Sequence, residues 1–426
     1  MPSNTTTPAP PDSPTAVLPT TETLAQLAQT DDESAWTAAF VQLADHLLLA
    51  DPTALLQLIH DYRDHPLHLP HSQHQFAYFT ALALRKNNQL SEAIDQFTTL
   101  LARPDLPPAL RARALNSRAV GYRLRGELVL AQAGYAQSLA LWRELDDVLN
   151  VGKVQLNMGI IAYQLRRYAE AEAHLQEAAA CFTAVNAPQW LAGVTNELGL
   201  LHRDQGRLDD ALVQFNRFLA QRQAEGASDQ IGLAYLNRGE ILLFQEKLDE
   251  AEASLQAALA HMSSSPYRVD VYLHLGLITA VRGDLSAALR FFQQAQQTTY
   301  ALGRSEILPH VYYHLADTWW RLGQPKTARH YLETAVAVIE QQQSQPADES
   351  VSISLLGRWQ QVYEALFLVQ MALGQPNAAL ATAERARARA FAQRLNQHAP
   401  PENWVTADDL QRQLAPGQAF ISYFTT

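Results

Sequence analysis

The chain has 426 residues, 47% of them hydrophobic, and a formal charge of -11. That acidic balance speaks against nucleic acid as a partner, since such a surface needs a basic face to displace counterions. One cysteine, Cys181, permits no internal disulfide, and no apolar run reaches the roughly 18 residues of a membrane span, so the chain reads as a soluble, cytoplasmic protein with no membrane partner.

Residues 1–21 are rich in Pro, Thr and Ser and too poor in large apolar side chains to offset the entropy of ordering, so they read as a disordered leader. From Glu22 the pattern turns helical. Ser34 is the expected N-cap ahead of Trp36, Phe40, Leu43 and Leu47, and Asp51 with Pro52 supplies the cap and first position of the next helix. Residues 22–74 are expected to cap the N-terminal end of a helical stack. Within them His65, His68, His71 and His74 recur every third position, with His60 upstream. Imidazoles in such a row are able to bind Zn, Ni or Cu adventitiously. Pro66 and Pro70 interrupt any helix that would align them, so an exposed loop is the simpler reading.

A self-similar block then recurs over residues 75–343. It carries a small residue on a first helix, a small residue twelve positions later on a second helix, and a large apolar residue four beyond that. The seven blocks read Ala81/Ala93/Phe97, Ala119/Ala131/Tyr135, Gly159/Ala171/Leu175, Gly199/Ala211/Phe215, Gly239/Ala251/Leu255, Gly276/Ala288/Phe292 and Ala316/Ala328/Leu332. Small residues let two helices cross closely, and the large residue is expected to fill the space toward the next pair. Turn signals fall between the helices at Arg125-Gly126, Gln205-Gly206, Arg282-Gly283 and Leu322-Gly323.

The segments LNMGIIAYQLRRYAEAEAHL (156–175) and NELGLLHRDQGRLDDALVQF (196–215) resemble the tetratricopeptide repeat, with its Leu-Gly on one helix and Ala-x-x-x-Phe on the next. The resemblance covers about Phe76 to Leu395 and implies an all-α fold, a right-handed superhelix of antiparallel helix pairs. The period departs from the commonest form: positions 119, 159, 199 and 239 are spaced by 40, against about 34. Longer helices are the expected cause, as in kinesin light chains and the sensor arms of large bacterial regulators.

After a polar stretch, Ser344 to Ser354, residues 355–397 read as one closing helix pair, the second helix basic along one face. His398 to Asn403 breaks the pattern. Residues 404–426 then offer a short capped helix, Thr406 to Leu414, and a β-like run, Ala419 to Phe424. The order of ERARAR helix, break and PGQAFISYF, from Ala383 to Thr426, resembles the junction where bacterial tetratricopeptide arms enter a caspase-like CHAT peptidase domain. That resemblance implies that residues 404–426 begin such a domain, truncated at its first strand, with the His/Cys dyad lying beyond Thr426.

No phosphate loop, HExxH, GxSxG, GxGxxG or paired-cysteine motif is present, so neither a catalytic residue nor a cofactor is expected. Cys181, beside Phe182, reads as a small packing residue; Trp142, Trp190 and Trp319 also read as packing. The groove carries the functional expectation: in this family the first helices line it, and a protein or peptide lies across them. Its candidates are Asn116, Asn157, Asn196 and Asn237, then His274 and His314, with Arg123, Tyr163, Arg203, Trp320 and Arg321 one turn further on. The Asn positions fall in two registers, two or three residues before the small position, and the same residues would equally solvate an exposed helix face. The chain is therefore expected to be a non-enzymatic interaction scaffold, the recognition arm of a bacterial CHAT-type protein. The alternative is the ligand- or peptide-sensing arm of a bacterial signalling or transcriptional regulator.

Overall fold

The computed structural model describes residues 19–29, 32–63, 70–263, 265–343 and 349–394. The regular elements of the described residues are all helices, without a strand. Two compact units divide the chain, Met1–Gln221 and Arg222–Thr426. The first holds α1 (Thr21–Leu27), α2 (Glu33–Ala50), α3 (Pro52–Arg63), α4 (Pro70–Lys86), α5 (Leu90–Leu101), α6 (Pro108–Leu124), α7 (Leu128–Glu144), α8 (Val148–Gln164), α9 (Tyr168–Ala184) and α10 (Pro188–Asp204), and the boundary falls within α11 (Leu208–Glu225). The second holds α12 (Ser228–Phe244), α13 (Leu248–His261), α14 (Arg268–Val281), α15 (Leu285–Ala301), a 3-10 turn (Ser305–Ile307), α16 (Leu308–Arg321), α17 (Pro325–Gln343), α18 (Glu349–Ala372) and α19 (Pro376–Arg394). The leader up to residue 18, the capped helix at 406–414 and the β-like run at 419–424 lie outside the described residues.

Consecutive helices pack as antiparallel pairs: α4 on α5, α6 on α7 and α8 on α9 in the first unit, and α12 on α13, α14 on α15, α16 on α17 and α18 on α19 in the second. This is an α-solenoid. The long period resides in helix length, since α6 through α10 and α12 each run 17 residues. Helix starts follow the local chemistry. Thr20 caps α1, Asp51 accepts from the amides of Thr53 and Ala54 ahead of α3, and Asp147 accepts from Asn150 ahead of α8. The cap of α2 is Asp32, which accepts from the Ala35 amide, and not Ser34, which lies inside the helix. Pro70 opens α4 rather than breaking it, because the first helical position needs no amide proton. Residues 70–74 are therefore helical, not an exposed loop.

The turns close with a left-handed residue. Gly126, Gly206, Gly283 and Gly323 take φ of 85°, 74°, 86° and 73°. At the equivalent turns Asn88, Arg166 and Glu246 adopt φ of 62°, 57° and 59° without glycine's freedom.

All seven small/small/large triplets are buried, none of their 21 members being exposed. In the glycine-bearing pairs the large residue stands on the small residue of its own pair, and Phe292 also stacks on His314 of the next pair, as its position suggested. A β-carbon on Gly199 would come within 2.5 Å of Phe215 Cε1, one on Gly159 within 2.8 Å of Leu175 Cγ, and one on Gly239 within 2.8 Å of Leu255 Cγ. The second small residue marks the backbone crossing: Ala171 O and Ala251 O lie 3.4 Å from those same built positions. Tight contacts recur seven residues earlier, where Gly152 meets Phe182 and Gly232 meets Met262.

Candidate functional site

In the first unit the first helices of successive pairs touch one another, α4 with α6, α6 with α8 and α8 with α10. Among the described residues, no comparable contact joins α5 to α7 or α7 to α9. Helices on the inside of a curved stack crowd together while those outside splay, so the first helices form this unit's inner wall.

Six of the expected groove residues lie on that wall. Asn157 on α8 donates from Nδ2 to Asn116 Oδ1 on α6 at 3.0 Å. Tyr163 donates from its hydroxyl to Asp204 Oδ2 at 2.6 Å, and Arg203 donates from Nε to Asp204 Oδ1 at 2.9 Å. Burial, with Asp204 alongside, holds the Tyr163 phenol protonated well above its ordinary range. Asn196 and Arg123 are buried. The row is thus tied from helix to helix, and not a set of separately solvated side chains.

Glu197, which its polar neighbours gave no reason to single out, lies in the same wall. It is 5% exposed, and Asn196 Nδ2 donates to its Oε1 at 3.4 Å. Burial pushes its carboxyl up to about 7, against the opposing pull of Asn196 and the Arg123 charge.

In the second unit α12 touches α14 and α16 touches α18. Asn237 is buried on α12 and His274 half-buried on α14. His314 on α16 stacks on Phe292, centroids 5.3 Å apart at 14°. Its burial, reinforced by the neighbouring His310 and His274, pushes the imidazole down to about 4, so it is neutral near pH 7. Trp320 is exposed. Arg321 donates from Nη2 to the Ala280 carbonyl at 2.8 Å, capping the end of α14, and its Nη1 lies 3.9 Å from Asp317.

The histidine row does not assemble as a site among the described residues. His65 and His68 lie outside them, His60 is exposed on α3, and His74 is buried with Nε2 3.4 Å from Asp105 Oδ2. No group of three His, Cys, Asp or Glu side chains there is placed to hold a metal. Cys181 is half-buried and its thiol is pushed up by burial and by Glu177. Trp142 is buried, Trp190 stacks on Phe182 with centroids 5.9 Å apart, and Trp319 packs against the core of the second unit. No described helix is long and apolar enough to cross a membrane.

The tetratricopeptide repeat family matches residues 110–184, 190–264, 236–301 and 309–342, together more than half of the sequence. The chain is a tetratricopeptide-repeat protein. Its solved structural neighbours share the repeat fold. A Rap protein complexed with Competence and Sporulation Factor is 14% identical with a TM-score of 0.54, over 80% of this chain and 99% of that one. The quorum sensor NprR from B. thuringiensis, in its apo form, is 14% identical with a TM-score of 0.58, over 74% and 91%. The signal transduction ATPase PH0952 from Pyrococcus horikoshii, which carries a tetratricopeptide repeat sensor, is 12% identical with a TM-score of 0.59, over 86% of this chain and 54% of that one. At these identities the likeness is one of fold. No curated protein matches the sequence. The tetratricopeptide pairs thus supply the first helices that carry the polar row.

Proposed function

We propose that the chain is an interaction scaffold that holds a protein or peptide segment against the inner faces of its first helices, and that it has no catalytic role of its own. The observation that carries this reading is the linked polar row Asn116–Asn157, Tyr163–Asp204–Arg203 and Asn196–Glu197 on adjacent first helices. Side-chain amides and charges fixed from helix to helix are pre-organised to pair with a peptide backbone, which lowers the ordering cost of binding. The finer form of the proposal is that the arm positions or restrains a caspase-like CHAT peptidase module, supported by the residue order from Ala383 to Thr426.

A second reading is favoured by the structural neighbours: a peptide-sensing arm of a bacterial regulator, as the Rap complex with Competence and Sporulation Factor and the quorum sensor NprR share the fold. Affinity capture on the purified chain tests the common core of both. Partner binding is expected to be lost in the Asn157→Ala, Asn237→Ala double variant while its melting profile stays cooperative. A partner retained by that variant and by Tyr163→Phe would count against the inner wall. A captured peptidase favours the first reading, and a short signalling peptide the second.

A further inference from the structure

On the second helices, one place departs from the repeat. At the start of the helix, just before the second small residue, α5, α9 and α11 carry Ser91-Glu92, Ala169-Glu170 and Asp209-Asp210, and α13 of the second unit carries Asp249-Glu250. The equivalents on α7 are Val129 and Leu130. An acid in the first turn is favoured by the positive end of the helix, so the exchange forgoes that support. The core gains nothing in return: the cluster around Ala131 and Tyr135 is built without either side chain. Val129 is 81% exposed and Leu130 50%. Ala133, Ala136 and Ala140 continue the same face toward the helix end, all exposed. The outer face of α7 is therefore an apolar strip that the described residues leave uncovered. Its two ends are charged. Arg125 and Glu127, 2.6 Å apart, stand where α7 begins, and Arg143 and Glu144 where it finishes, with Arg143 Nη2 also 2.8 Å from Glu177 of α9.

This face is complementary to itself. In one antiparallel register of two α7 helices, Val129 and Leu130 of each copy fall on Ala140 of the other, Ala133 on Ala136, Arg125 on Glu144 and Glu127 on Arg143. All these pairings share a single two-fold axis, which passes beside Gly134 and Tyr135. Large side chains then meet small ones, so the helices approach closely, while unlike charges meet at both ends and the helix dipoles oppose. A parallel pairing would instead set Arg125 on Arg125 and Glu144 on Glu144. We propose that the outer face of α7 is a docking surface for a second copy of this chain, laid antiparallel about a two-fold axis. The contact uses a second helix and leaves Asn116 and Asn157 on the inner wall free, so it stands independently of the reading of that wall.

Sedimentation velocity on the full chain, from about 1 to about 200 µM, tests this. A contact through one helix of each copy is small, so dimers are expected to form with a Kd on the order of 10 µM. Val129→Asp combined with Leu130→Glu installs the residues that α13 carries at these places, Asp249 and Glu250, and should weaken association by at least about tenfold while melting stays cooperative. Val213→Asp, at an exposed valine of α11, should leave association unchanged. Charge reversal reads the register. Glu144→Arg alone should weaken the dimer about fivefold, and adding Arg125→Glu should restore it. A chain that stays monomeric at the highest concentration, or a dimer that survives the Val129→Asp, Leu130→Glu double variant, would overturn the proposal. Failure of Arg125→Glu to recover what Glu144→Arg removed would overturn the antiparallel pairing.

Discussion

Gly199 lies against the face of Phe215 so closely that a β-carbon on it would come within 2.5 Å of the ring. An aromatic ring on a packed helix has no flexible end to move aside. Gly199→Ala is therefore expected to destabilise the first unit by about 1–3 kcal/mol from overpacking, outweighing the roughly 1 kcal/mol that alanine gains in helix propensity. Urea unfolding measures the difference. An unchanged midpoint would show that the pair does not depend on this contact.

The left-handed turns provide a change of opposite sign. Arg166 and Glu246 hold φ of 57° and 59° at places where other repeats carry glycine. Arg166→Gly and Glu246→Gly should each raise stability by about 0.5 kcal/mol, relief of the left-handed strain exceeding the entropy that glycine adds to the unfolded chain. Gly126→Ala, at φ of 85° with nothing within 4 Å of its built β-carbon, should lower it by about 1 kcal/mol on backbone grounds alone. Thermal melts of the three variants give the signs.

Glu197 makes stability depend on pH. Its folded value of about 7 lies above the unfolded carboxyl value of 4.5, so the folded state retains the proton longer. Its contribution is fully present below pH 4.5 and is lost as pH rises toward 7. Glu197→Gln should therefore match the wild type near pH 4.5 and exceed it at pH 8, by on the order of 2–3 kcal/mol. Denaturant titrations across that range read the slope directly.

His314 works the other way in the second unit. Its folded value of about 4 lies below the ordinary 6.5, so the neutral imidazole stacked on Phe292 supports the fold above pH 6.5. That support is lost as pH falls toward 4. His314→Phe should flatten the acid side of the second unit's melting profile, and an unchanged acid slope would show that the ring is not held neutral.

Asn116 and Asn157 show both what the sequence discloses and where it stops. The asparagines were visible as a row, but in two registers, which weakened them as a set. In the structure the mismatch is what joins them. Asn157 follows Asn116 by 41 positions, one more than the repeat spacing, and that offset brings the two side chains of adjacent helices together. The same 41-residue separation carries Tyr163 to Asp204 and Arg321 to Ala280. The helical class was legible because Ala, Gly and large apolar residues recur at fixed spacing, as Gly159/Ala171/Leu175 illustrate. Turns at Gly126 and Gly206 were legible as well, since only glycine takes their backbone freely. Those at Arg166 and Glu246 were not, because nothing local marks a left-handed arginine or glutamate. Glu197 was hidden for a different reason. A charged residue on a helix normally reads as solvated, and only the approach of the next first helix buries it.

Amide hydrogen exchange on the full chain, free and with its captured partner, tests the central claim most directly. New protection is expected on the first helices of the unit that binds, at α6, α8 and α10 around Asn116, Asn157 and Asn196. Protection confined to the second helices α7 and α9, with α6, α8 and α10 unchanged, would contradict it.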